Sequence, residues 1–133
     1  MKKILLILLG SIGGFILLVS VFLFYLGRDL DSNAALEIDS IDMALIDDGT
    51  YVGSHEGGRF SNTVEVTVEA GNITNVRLID SVRFDRPEIT EALLERITEE
   101  NTLDVDIEAG ATVTSLAYMK AIEDALTKGL NND

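Results

Sequence analysis

Residues 4–26 form a run of 23 residues without a single charge, interrupted only by serine and glycine. As a helix rising about 1.5 Å per residue, such a run crosses a hydrocarbon core of about 30 Å. It therefore fixes the first decision about the chain. Lys2 and Lys3 precede the run, and Arg28 follows it with Asp29 and Asp31 close behind. That bias places the N-terminus in the cytoplasm and everything after the run outside, on a cell membrane crossed once. A cleaved signal peptide is the rival reading, with Ser32-Asn33-Ala34 as its cleavage site. Signal peptides carry apolar regions of only about 7–15 residues, so residues 1–28 are expected to stay as a transmembrane anchor.

What lies beyond the run is one small domain by length. The chain has no cysteine. That excludes disulfides, thiolate metal sites, cysteine-bound iron–sulfur clusters, thioether haem and a lipidated cysteine. If the chain handles electrons, an organic cofactor has to carry them. Of 10 basic and 23 acidic residues, only Lys2 and Lys3 precede the run, leaving 8 and 23 beyond it and a balance of −15. A domain so acidic is a poor partner for nucleic acid and for anionic lipid surfaces.

Residues 29–47 are acidic with scattered apolar positions and no sustained period, and read as a stalk or linker, part of it packed on the domain. Asp39, Asp42, Asp47 and Asp48 lack the spacing of a calcium loop. The domain is expected over residues 48–133. Residues 50–54 read as a strand, followed by a loop containing His55 and Arg59, both expected at the surface, Arg59 alternatively reaching a phosphate or flavin. No second soft ligand accompanies that lone histidine, so it makes no metal site. Residues 62–70 alternate, with Val64, Val66 and Val68 on one face and Glu65, Thr67 and Glu69 on the other. Ala70-Gly71-Asn72 is a hairpin signal. Residues 73–81 return as a second strand, with Val76 and Leu78 in phase and Ile73 out of phase, which a bulge near Asn75 reconciles. The apolar face of this sheet needs a cover. Pro87 suits the first turn of a helix over 87–100, whose Ile89, Leu93 and Ile97 recur every four residues. Phe84 is expected in the core, or alternatively beside a planar cofactor together with Arg83 or Arg86. Residues 103–108 alternate again and read as a strand, with Asp104, Asp106 and Glu108 on one face, either solvated or able to hold magnesium. The last helix carries a stripe of Leu116, Met119, Ile122, Leu126 and Leu130. The sum is an α+β fold: a small, mainly antiparallel sheet packed by two helices and preceded by one N-terminal transmembrane helix.

Between the alternating segment and the last helix stands Asp106-Ile107-Glu108-Ala109-Gly110-Ala111-Thr112-Val113-Thr114-Ser115. Gly110 and Ala111 are small enough for close approach to the backbone. Thr114 or Ser115 is placed to cap the helix. The unpaired N–H groups of a first helical turn favour an anion such as phosphate, and Thr112 offers a hydroxyl beside them. An ordinary strand-to-helix turn with an ordinary cap accounts for the same residues.

This segment resembles the flavinylation motif of the FMN-binding domain family: an Asp, two variable positions, Ser or Thr, then Gly-Ala-Thr and usually a residue and Thr-Ser. Asp106, Gly110, Ala111, Thr112, Thr114 and Ser115 match; Ala109 stands where the family has Ser or Thr. Residues 48–53 resemble the family's opening strand and residues 64–79 its hairpin, so the likeness covers residues 48–130. The resemblance implies FMN as cofactor, joined through its phosphate to Thr112 by a flavin transferase that uses FAD. Asp106 would then orient the loop or present it to the transferase, and Thr114 and Ser115 would bond the phosphate. It further implies an electron carrier that works with a membrane or surface redox partner, rather than a stand-alone enzyme. Ala109 keeps open a different class, an interaction domain that binds flavin reversibly or not at all. A hydrolase is the weakest reading, because the one histidine has no Ser–His–Asp set.

Overall fold

The computed structural model describes residues 1–130. An initial helix α1, Lys2–Ala34, is followed by strands β1, Gly49–His55, β2, Asn62–Glu69, and β3, Asn72–Asp80. Helices α2, Pro87–Glu100, and α3, Thr112–Lys128, complete the domain, with short 3-10 turns at Met43–Leu45 and Gly58–Phe60. The three strands form one antiparallel sheet in the order β1-β2-β3. The fold is α+β.

The valine alternation is what builds the core. Val64, Val66 and Val68 are fully buried, and their neighbours Thr63, Glu65 and Thr67 are only half-buried. Ile97 of α2 and Tyr118, Ile122 and Leu126 of α3 are equally sequestered in the same core. Val66 pairs with Val76 and Thr67 with Asn75, but Val68 pairs with Ile73, so Thr74 is the extra residue that brings Ile73 back to the apolar face. The bulge therefore sits beside Asn75, where the out-of-phase Ile73 requires it. Residues 87–100 form the helix α2, with Pro87 in its first turn.

Several expectations are corrected. Residues 103–108 form no strand. Their alternation is real, since Leu103 and Val105 are buried while Asp104, Asp106 and Glu108 are exposed. One-sided burial is all that such a period requires, and an extended loop laid over the core satisfies it without ladder partners. Phe84 is not a core residue but is 71% exposed. Arg59 is half-buried rather than a surface residue: its guanidinium lies over the Phe60 ring, 5.1 Å from the centroid.

Helix α1 contains an 18-residue window of mean hydropathy 2.7 with no part of it buried in the protein, so it is long and apolar enough to cross a membrane. It continues past the apolar run and docks on the domain. Asn33, 2% exposed, donates from Nδ2 to the carbonyls of Asp29 at 2.6 Å and Gly57 at 3.1 Å. Its Oδ1 lies 2.7 Å from His55 Nε2, and because an amide oxygen only accepts, Nε2 carries the proton. The segment after α1 is fastened too. The Asp39 N–H donates to Glu123 Oε2 at 2.9 Å, and Lys120 Nζ donates to the Glu37 carbonyl at 3.1 Å.

His55 is thus part of the contact between helix and domain rather than a surface residue. Burial first, and then the positive charge of Lys120, hold its imidazole below the ordinary value of 6.5. The unfolded chain therefore takes up a proton before the folded chain does, and stability contributed by neutral His55 is complete above pH 6.5 and lost as pH falls through the lowered folded value. The midpoint of thermal unfolding of the full chain should drop between about pH 7 and about pH 5. The drop should be shallower in His55→Gln, as read by circular dichroism at each pH.

Candidate functional site

The segment that precedes α3 is a tight turn. The Ala111 N–H donates to the Glu108 carbonyl at 3.1 Å, and Gly110 between them has φ +84°. That left-handed conformation costs a residue with a Cβ about 1–2 kcal/mol and glycine almost nothing. A Cβ at Gly110 would meet nothing within 4 Å, so the backbone there is open on its outer side. Ala111 turns inward, 7% exposed.

The cap differs from the sequence expectation. Ala111, not Thr114 or Ser115, is the N-cap of α3, and no side chain caps the helix. The helix starts early because Ser115 N–H bonds to the Ala111 carbonyl at 2.9 Å, which places Thr112 at the first helical position and Thr114 and Ser115 inside the first turn. Thr112 is exposed, Thr114 half-buried and Ser115 buried. An uncapped start of a 17-residue helix leaves its first-turn N–H groups available to an outside acceptor. Thr112 Oγ1 stands on that same turn. The chemistry fits a phosphate ester: a hydroxyl to carry it, first-turn N–H groups to bond its oxygens, and the positive end of a helix dipole to offset its charge.

A cavity of about 30 Å³ opens beneath the turn, and Phe84, Arg86, Gly110, Ala111, Thr114 and Ser115 contribute to its lining. Phe84 and Arg86 come from the loop before α2, which Tyr118 holds in place. The fully buried Tyr118 hydroxyl accepts from the Val82 N–H at 3.2 Å and donates to Asp85 Oδ1 at 2.9 Å. Asp85 Oδ1 also accepts from Thr90 Oγ1 at 2.6 Å. Burial pushes the Tyr118 phenol well above its usual range, and the Asp85 carboxylate adds to that even though the Val82 N–H opposes it, so the phenol stays a donor at any ordinary pH. Asp106 is exposed, and its carbonyl accepts from Arg96 Nη1 at 2.5 Å, which fixes the approach to the turn from α2. Ala109 is exposed beside Gly110. Asp104, Asp106 and Glu108 point outward from a loop, and no group of three metal-ligating side chains occurs among the described residues.

A sequence model of the FMN-binding domain matches residues 61–127, from the start of β2 almost to the end of α3. The chain belongs to the FMN-binding domain family. Its cofactor is accordingly FMN. None of the curated proteins matches the chain. The family match includes the whole Asp106–Ser115 turn and the Asp85–Tyr118 clasp, and leaves out α1 and β1.

The clasp escaped the sequence reading, which traced the α3 stripe through Leu116, Met119 and Ile122. Tyr118 lies four residues before Ile122 on a face just as buried, so the signal was present in the helical period. Removing only its oxygen, in Tyr118→Phe, orphans the buried Val82 N–H and takes one donor from Asp85. The expected loss is about 1–3 kcal/mol. A thermal melt of the full chain should fall by roughly 5–15 °C.

Proposed function

We propose that this chain is a membrane-anchored, extracytoplasmic carrier of FMN, joined to Thr112 by a phosphoester and relaying electrons between a membrane or surface donor and an acceptor. The observation that supports this most directly is the exposed Thr112 at the first position of a helix whose N-cap, Ala111, supplies no capping side chain. In this reading residues 1–28 are the anchor, 29–47 connect it to the domain, and 48–133 are the domain, of which 131–133 lie outside the described residues.

Thr112 Oγ1 is the attachment point for the phosphate, installed by a flavin transferase that uses FAD. Gly110 makes the turn that leaves the backbone open, and Ala111 packs inward so that the turn cannot slide. The first-turn N–H groups bond the phosphate oxygens, with the Thr114 hydroxyl next to them. Ser115 and Asp106 hold the turn from below and from the α2 side. Arg86 at the cavity rim brings a positive charge, shared with Glu88 at 3.7 Å. The exposed ring of Phe84 provides an apolar wall for a planar ligand. Bound FMN supplies the redox chemistry, and the protein sets its place and surroundings.

Ala109 favours a second reading, in which the domain holds FMN reversibly, because a methyl group stands where family members offer a hydroxyl. One experiment separates the two. The full chain is produced with an exported flavin transferase and weighed intact, with an established FMN-binding domain as labelling control in the same cells. A gain of one FMN less one water supports the ester. No gain beside a labelled control rejects it, and titration with free FMN then reads reversible binding.

A further inference from the structure

The charge balance of the domain hides a local exception. Of the basic residues that follow the apolar run, Arg77, Arg86, Lys120 and Lys128 each pair with a carboxylate, and Arg96 bonds the Asp106 carbonyl. Arg28, Arg59 and Arg83 have no carboxylate partner among the described residues. All three sit at the end of the domain that meets α1. Arg28 comes two residues after Leu26. Arg59 and Arg83 are tied together, the Arg83 N–H donating to the Arg59 carbonyl at 3.0 Å, and Arg59 Nε is buried without a hydrogen-bond partner. Both arginines line a cleft of about 500 Å³ whose other wall is α1 itself, at Phe22, Tyr25 and Leu26.

The level of this cleft identifies what it meets. Phe22 and Tyr25 lie in the last turn and a half of the apolar run, where aromatic side chains collect at a membrane–water boundary. A cleft that contains both Phe22 and Arg83 brings the arginines down to the phosphate layer of the leaflet. Guanidinium groups bind phosphate through paired N–H donors, and each basic residue held near an anionic surface strengthens the attraction about fivefold. The apolar wall of α1 accommodates the start of an acyl chain. The one acid in the lining is Asp29, whose carboxylate lies against Gly58.

We propose that the cleft between α1 and the Arg59–Arg83 pair binds the phosphate of an anionic phospholipid of the surrounding leaflet, and so fixes the domain at the membrane surface. The proposal rests on α1 lying in the membrane. The lipid site is separate from the turn at Thr112, although Phe84 borders both hollows. An overall acidic domain thus keeps its unpaired cations for the one face that touches lipid headgroups.

The test begins with alkaline extraction of membranes containing the full chain. The chain is then purified in mild detergent and titrated with phosphatidylglycerol or phosphatidylcholine, with bound lipid counted by native mass spectrometry. Retention in the membrane and a preference of about tenfold or more for phosphatidylglycerol are expected. The preference should fall to near unity in Arg59→Gln/Arg83→Gln, should fall about fivefold in the fully surface variant Arg83→Gln, and should return in Arg83→Lys. Equal binding of the two lipids, or a preference that survives both glutamine variants, overturns the lipid site and leaves the anchor intact. Displacement of the lipid by inorganic phosphate or by free FMN assigns the cleft to a soluble phosphate ligand and also overturns it. Release of the chain by alkaline extraction overturns the anchor and the lipid site together.

Discussion

Thr112→Ala is expected to abolish covalent flavin while leaving the protein as stable as before. The two halves of that result have separate causes. Thr112 is exposed at the first position of α3, and Ala111 already provides the N-cap without using a side chain, so the fold draws nothing from the Thr112 hydroxyl. Alanine is also the better helix former, by a few tenths of a kcal/mol. The ester, however, has no other oxygen available at this place on the turn. Ser115 is buried, and Thr114 is half-buried and lines the cavity beneath. Intact mass should show no addition of FMN less water in Thr112→Ala, and the denatured band should lose its flavin fluorescence. Circular dichroism melts should be unchanged within about 3 °C. Thr112→Ser keeps the hydroxyl and should keep the flavin. Ala109→Ser restores the family's hydroxyl beside Gly110 and should speed labelling by about tenfold or more, the expected gain from one hydrogen bond to an ionised group. A full mass gain in Thr112→Ala would move the acceptor elsewhere and sink the proposed ester. An Ala109→Ser chain that labels no faster would show that the position does not limit attachment.

How much of this was legible in the sequence depends on what each residue answers to. Strand β2 and helix α2 answer to burial alone, and the periods at Val64, Val66 and Val68 and at Ile89, Leu93 and Ile97 gave both, down to the bulge that returns Ile73 to the core. Residues 103–108 show the limit of the same signal. Alternation reports which side is buried but not whether a ladder partner exists, and here β3 has only β2 beside it in the sheet. The site was legible as a chemical string, from Asp106 to Ser115, because the glycine turn and the hydroxyls are adjacent in the chain. Its surroundings were not. Phe84 reaches the cavity only because Tyr118 and Thr90 hold Asp85 across 33 and 5 residues, and hydrophobicity alone assigned Phe84 to the core. The Asn33–His55 contact is long-range in the same way. A polar residue of a helix end and a histidine of a strand end reveal no partnership until the two elements are docked.

Gly53→Ala carries the largest expected cost in stability, and the reason is again a contact between distant segments. Gly53 sits in β1 opposite Val64 and is buried beneath α3. A Cβ there would run into the carbonyl oxygen of Ala121 and the backbone nitrogen of Ala125, with the Ala125 Cβ 2.8 Å away. Two of these obstacles are helix backbone, which cannot swing aside as a side chain does. Either α3 lifts from β1 or the strand bends away from Val64. Both routes open the core at Ile122 and Leu126, which are fully buried. Overpacking usually costs about 1–3 kcal/mol, and a clash with backbone belongs at or above the top of that range. For a domain of this size about 3 kcal/mol lowers the melting midpoint by on the order of 15 °C. Gly14→Ala, in the apolar part of α1 where a Cβ meets nothing within 4 Å, is the matched control and should leave the midpoint in place. Because α3 also carries Thr112 at its start, the Gly53→Ala chain should lose part of its labelling as the helix shifts, in contrast to Thr112→Ala, which loses all of it with no loss of stability. A Gly53→Ala midpoint within about 2 °C of the parent would mean that α3 and β1 are spaced more widely than this packing requires.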